Sequence, residues 1–158
     1  MYIGELGKWG HPSDSANISL WPSYSYSIWK YGRDADLILV DGRFRVACAL
    51  HAVLLSYTHP GTNLTTLFSG HSAIRADNTT TAAANSMTMV TKKRMRSTPR
   101  KMKIVIRDFL RQQYHKVLHY ADVISCVDSL VVLHPKKLVD LEQLVKDIYA
   151  HEFQPNRM

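Results

Sequence analysis

The stretch Asp36–Ser56, DLILVDGRFRVACALHAVLLS, sets the fold of this chain. Leu37–Val40 is a continuous apolar run, Asp41-Gly42 closes it, and a mostly apolar segment resumes at Phe44. A short apolar run that ends in a carboxylate and a glycine, then gives way to a helix-length segment, reads as a buried strand feeding a helix. From Arg43 to about Tyr57 apolar residues occupy nearly every side, the pattern of a buried helix. In open α/β sheets, ligands sit beyond the carboxyl ends of the strands. Asp41, Arg43 and Arg45 therefore come out where a site is expected.

Working outward, His59-Pro60-Gly61 stops the helix. Residues 62–102 change character: Asn78–Thr91 is Thr/Ala-biased without usable periodicity, and a basic run follows. A disordered basic insertion is predicted there. Order returns with a strand at Lys103–Ile106, followed by Arg107-Asp108-Phe109. A helix is predicted over Gln112–Ala121, because Tyr114, Val117, Leu118 and Ala121 fall at i, i+3, i+4 and i+7. Val123–Val127 and Leu130–Leu133 around Asp128-Ser129 read as a hairpin ended by Pro135. Leu138, Leu141, Leu144, Val145 and Ile148 mark a closing amphipathic helix, with Glu142 and Lys146 a favourable pair. Upstream, residues 1–35 are broken by Gly4, Gly7 and Gly10 and crowded with Trp and Tyr. They are expected to be ordered but irregular, with a helical turn at Ile28–Tyr31. Strands alternating with helices predict a parallel α/β sheet, to which the hairpin adds antiparallel strands.

Composition narrows the function classes. A chain of 158 residues with 46% hydrophobic content supports one domain with a real core. No apolar run approaches the ~20 residues of a membrane span, and MYIGELGKWG lacks a basic-then-apolar secretion signal. Cys48 and Cys126 fall inside predicted elements, as small core residues do, so a reducing, cytoplasmic setting without a membrane is expected. The net charge is +7, yet Lys92–Lys103, KKRMRSTPRKMK, carries seven Lys/Arg and no acid. The rest of the chain is neutral. This argues against a broadly basic nucleic-acid binder and leaves a local patch as the lesser reading of the loop. Asn17, Asn63 and Asn78 begin glycosylation sequons, read as coincidence without a secretion signal.

Each candidate residue has a functional and a structural reading. Asp41, at a strand's carboxyl end, can orient an acceptor hydroxyl, act as a base or bind a metal; equally, it can cap the next helix and pair with Arg43 or Arg45. Asp108, at the end of the neighbouring strand, can share a divalent metal with it, since carboxylate oxygens suit Mg²⁺. Arg43 and Arg45 can clamp an anionic acceptor or hold the two acids in a salt bridge. Tyr114 lies on the core stripe. His115 and His119 are four apart but lack the intervening acid of a zinc helix. Trp9, Trp21 and Trp29 either line an acceptor pocket or cover the core.

Four strings carry a family resemblance: GELGKWGHP (Gly4–Pro12), DLILVDGRFRVACAL (Asp36–Leu50), IVIRDFLRQQYHKVL (Ile104–Leu118) and SLVVLHPKK (Ser129–Lys137). They look like successive blocks of a poorly characterised branch of the class I, Rossmann-like S-adenosylmethionine-dependent methyltransferases, in its C-terminal portion. The specific motif is VDGRFRVA; the acid–aromatic pair after the second strand and the R-x-x-Y-H start at Arg111–His115 add to it. The resemblance implies a partial Rossmann-like sheet and methyl transfer from S-adenosylmethionine to a small-molecule or glycan acceptor. Asp41 and Asp108 would stand at the reaction centre, with Arg43, Arg45, Tyr114 and His115 on the acceptor. The family's glycine-rich cofactor loop has no match before Asp36, where a βαβ unit of roughly 30 residues meets only irregular sequence. The chain is therefore expected to be a single methyltransferase-like half-domain over 1–158, unable to hold the cofactor alone. The competing expectation is a non-enzymatic module that pairs with its own or another chain through an exposed sheet edge, or binds nucleic acid through Lys92–Lys103.

Overall fold

A computed structural model describes residues 5–7, 12–13, 17–42, 44–59, 95–96 and 98–153. A 3₁₀ turn at Ile18–Leu20 leads into α1 (Pro22–Tyr31). Then come β1 (Leu37–Val40), α2 (Arg45–Ser56) and β2 (Lys103–Ile106). A 3₁₀ helix (Gln112–His119), β3 (Ala121–Val127), β4 (Leu130–Pro135) and α3 (Leu141–Glu152) complete the order. The four strands form one sheet in the order β1-β2-β4-β3. β1 and β2 are parallel, with Leu37 opposite Lys103 and Val40 opposite Ile106. β4 runs antiparallel to both β2 and β3, and β3 bulges between Val123 and Ser125. The parallel pair and terminal hairpin expected from the sequence are both present.

Alternation along the strands builds the core. Ile38 and Val40 of β1, Ile104 and Ile106 of β2, and Val131 and Leu133 of β4 share one apolar cluster with α2, Trp29 of α1, and Leu144 and Ile148 of α3. α2 is buried on nearly every side: Ala47, Ala49, Leu50, Ala52 and Val53 are fully enclosed. Each large side chain there contributes roughly 1.5–3 kcal/mol of burial. One difference from the expected buried strand is the other face of β1, where Leu37 and Leu39 are 54% and 60% exposed.

Two further elements depart from expectation. The segment before Asp36 is not irregular throughout. Pro22 starts α1 with the fixed φ suited to a first helical position. Ser25 and Ser27 turn their hydroxyls back to the carbonyls of Pro22 and Tyr24, at 3.0 and 2.7 Å. Pro22, Ser25 and Trp29 are the buried side of this helix, at helical spacing hidden by the Tyr/Ser alternation. The element at Gln112–His119 is 3₁₀ rather than α. Tyr114, Val117 and Tyr120 are buried at every third position, matching three residues per turn, while Ala121 already opens β3. At the far end Leu138 is 88% exposed and outside α3. The helix is capped by Asp140, whose carboxylate accepts from the Glu142 and Gln143 amides at 3.0 Å.

Most of the stretch 62–102 lies outside the described residues, as does Trp9. Its last part is packed: the Arg100 amide donates to the Ser56 carbonyl at 2.9 Å, and Met102 is fully buried.

The three helices meet at a buried polar chain. His51, fully enclosed in α2, accepts at Nδ1 from Trp29 Nε1 of α1 at 2.9 Å. That bond puts the imidazole proton on Nε2, which donates to Oε1 of fully enclosed Glu152 of α3 at 2.9 Å. Burial and the Glu152 carboxylate push the Tyr26 and Tyr149 phenols well above their ordinary value, so both stay neutral. Removing a donor from an enclosed group costs the desolvation penalty of that group, about 1–3 kcal/mol. Trp29→Phe is thus expected to lower the unfolding free energy by at least that much in urea titrations. An unchanged midpoint would show that the Trp29–His51 bond does not hold the helices.

Candidate functional site

The carboxyl ends of β1 and β2 lie side by side, and each is followed by an aspartate. After β1 the chain turns through Asp41 and Gly42 into Phe44, which takes a left-handed conformation at φ 54° just before α2. After β2 it is Asp108 that is left-handed, at φ 58°. Both turns thus use a conformation unfavourable for residues with a side chain. The Phe44 ring is anchored between Trp21 and Tyr24, at centroid distances of 5.6 and 5.8 Å. A Cβ on Gly42 would lie 2.5 Å from the Tyr24 hydroxyl, so a larger residue there would have to displace the Tyr24 side chain.

Arg45, the first residue of α2, reaches across both turns. Its Nη2 pairs with Asp41 Oδ1 at 3.4 Å and its Nη1 with Asp108 Oδ2 at 3.1 Å. Nη1 also donates to the Tyr114 hydroxyl at 3.0 Å. Burial alone would lower the guanidinium's pKa, but the Tyr114 hydroxyl and the Asp108 carboxylate outweigh it and raise the pKa above its ordinary value. Two more arginines complete the cluster: Arg107 pairs with Asp41 at 3.3 Å and Arg111 with Asp108 at 3.8 Å.

Of the residues singled out by sequence, Asp41, Arg45, Asp108 and Tyr114 come together. His115 does not join them; it is exposed, with its ring beside Phe109 at 5.3 Å. Arg43 lies outside the described residues. Trp21 and Trp29 are buried and serve the core. Sequence reasoning missed Arg107 and Arg111. No local pattern signals them, because it is the left-handed turn at Asp108 that gathers them round the two acids. Burial pushes the Cys48 thiol up to about 12, which removes it as a nucleophile at neutral pH.

The cluster does not suit a divalent metal. A guanidinium bridges the two carboxylates, where a metal would have to sit, and no group of three or more His, Cys, Asp or Glu converges among the described residues. Among the described residues no strand precedes β1. Beside the cluster, a groove of about 370 Å³ runs between β1 and α1, lined by Tyr24, Ile28, Tyr31, Leu37, Leu39 and Asp41.

Comparison with known proteins places this fold. No family model and no curated protein sequence matches the chain. Among solved structures it is similar to a methyltransferase-like protein from Silicibacter pomeroyi DSS-3, with a TM-score of 0.53 and 23% sequence identity. The match covers 92% of this chain and 57% of that one, so the chain spans little more than half of that protein's length. The fold is therefore methyltransferase-like: a partial Rossmann-like α/β sheet, parallel at β1–β2 and antiparallel beyond. Among the described residues no helix is long and apolar enough to cross a membrane.

Arg45→Met, which keeps the length but not the charge, leaves the two carboxylates facing each other and the Tyr114 hydroxyl without its donor. Because the acids are partly exposed, the expected loss is about 1–2 kcal/mol of unfolding free energy. The loss should shrink in a D41N/D108N background. Equal losses in both backgrounds would show that Arg45 acts through packing alone.

Proposed function

We propose that this chain is the acceptor-side portion of a methyltransferase-like protein, with the strand-end cluster as its acceptor site. The observation that carries this reading is the position of the Asp41–Arg45–Asp108 bridge. It stands at the carboxyl ends of adjacent parallel strands, where α/β sheets of this kind bind their ligands. The reaction class is methyl transfer from S-adenosylmethionine to a small-molecule or glycan acceptor. In this role Arg45 orients the acceptor from below, Tyr114 fixes Arg45, and Asp41 and Asp108 accept hydrogen bonds from acceptor hydroxyls. Arg43 is assigned to the acceptor on sequence resemblance alone. The described residues supply no cofactor cradle, so the chain by itself is not expected to bind adenosylmethionine. Isothermal titration of the chain with S-adenosylmethionine should show no binding heat; micromolar affinity would overturn the half-site reading.

A second reading is favoured by one specific feature. Among the described residues β1 forms an edge of the sheet, and its sequence LILV carries no charge, proline or glycine to discourage pairing. Its Leu37 and Leu39 side chains are more than half exposed. In this reading the chain pairs with a second chain through β1. Light scattering should then give a mass above that of the monomer, and Leu39→Lys should return it to monomer. A monomeric wild-type chain at high micromolar concentration sinks this alternative.

A further inference from the structure

The strand-end cluster sets three guanidiniums against two carboxylates and so keeps one net positive charge. Its members are not equally accessible. The Arg45 side chain is 15% exposed, its two terminal nitrogens are engaged, and its Nε is buried without a hydrogen-bond partner. Arg107 and Arg111 lie outermost, with side chains 63% and 41% exposed. Arg107 meets Asp41 through Nη1, and Arg111 meets Asp108 through Nη2. Their separations, 3.3 and 3.8 Å, exceed the ~2.7–2.9 Å of a full charge-assisted bond. Both forks therefore keep donors for something else. The two turns that carry the acids are the left-handed ones at Phe44 and Asp108.

We infer that Arg107 and Arg111 form an oxyanion clamp above Arg45, taking a carboxylate or phosphate group carried by the acceptor. This rests on the acceptor-site reading above and narrows the acceptor to an anion. A guanidinium fork matches the oxygens of either group with two parallel donors. Asp41 and Asp108 hold the arginines in place and are themselves neutralised by Arg45. A cation approaching from solvent meets guanidiniums first. An anion meets two sets of unused donors with a third, less exposed positive charge beneath them.

The test uses the whole chain and inorganic phosphate, followed by ¹H–¹⁵N NMR. Saturable shifts are expected at the amides of residues 107–111, with affinity falling about a hundredfold in R107Q/R111Q, as loss of two charge-assisted bonds of about tenfold each implies. The single variant R107Q, at the most exposed position, should weaken binding in the same direction while leaving the rest of the spectrum in place. D41N should tighten phosphate binding, since it frees Arg107 and removes a repelling carboxylate; a metal-type site would not respond this way to an anion. Acetate titrated in parallel distinguishes the sources: tighter phosphate binding points to a phosphorylated acceptor and tighter acetate binding to a carboxylate. Absence of saturable shifts, or unchanged affinity in both arginine variants, overturns the clamp. Neither adenosylmethionine nor turnover enters the measurement, so its failure leaves the methyltransferase-type reading to be judged by its own titration.

Discussion

The structure depends on how one imidazole is satisfied in the middle of an otherwise apolar helix. α2 is enclosed on almost every side, so its single ring with two polar nitrogens cannot reach water. An unmet polar group in that setting would cost several kcal/mol. The fold meets the cost from two directions, with Trp29 arriving from α1 and Glu152 from α3. Three helices are thereby fixed relative to one another by bonds with defined geometry, whereas apolar contacts alone allow sliding. The same rigidity reaches the strand ends. Arg45 lies on the helix that carries His51, so whatever fixes the turn at His51 also fixes where the guanidinium emerges.

The site follows from topology as much as from chemistry. Two parallel strands, each followed by an aspartate, leave two carboxylates close together, and like charges at that range repel unless neutralised. Arg45 resolves the repulsion from the start of α2, with Tyr114 as a third contact from the 3₁₀ helix. The ring of Tyr114 also lies beneath the guanidinium, with its centroid 5.7 Å from the Arg45 Cζ, which favours the charged form over any neutral replacement. A similar division of labour appears between the 3₁₀ helix and α3. There, Asp147 accepts from Tyr120, Lys116 and Gln143. Burial would raise its carboxyl pKa, but these bonds lower it on balance. That cluster offers solvent a single cation, Lys116, and its carboxylate takes three donors, so it reads as a clasp, whereas three guanidiniums gather at the strand ends.

What the sequence made legible was whatever obeys a period. The apolar run at Leu37–Val40, the all-apolar face of α2 and the pair of short strands around Asp128 announce themselves, and they set the order of elements. α1 stayed hidden because YSYSIWKY alternates like a strand while its buried residues recur like a helix; tertiary burial of Trp29 and serine back-bonding decided the outcome. The 3₁₀ helix resembles an α-helix in sequence because Tyr114 and Val117 satisfy both periods, and only Tyr120 and Ala121 separate them. At the site, the acids were visible from their place after the strands. Arg107 and Arg111 were not, since an arginine beside an aspartate in sequence is usually just solvated. Their importance comes from the left-handed turn at Asp108, which no local pattern reveals. The partnership of His51 with Glu152, separated by a hundred residues, was beyond any local reading.

The placement of Glu152 in the last turn of α3 bears on how the protein is made. Synthesis delivers α2 with its largely apolar surface and His51 Nε2 still lacking its acceptor, and supplies the Glu152 carboxylate only after nearly all the described chain has emerged. β2 likewise waits for β4, which is translated later than the 3₁₀ helix and β3. At roughly 5–20 residues per second, the nascent chain exposes α2 for several seconds before its later neighbours, β4 and α3, exist. During that interval the most hydrophobic of the described helices is available to chaperones and to other nascent chains.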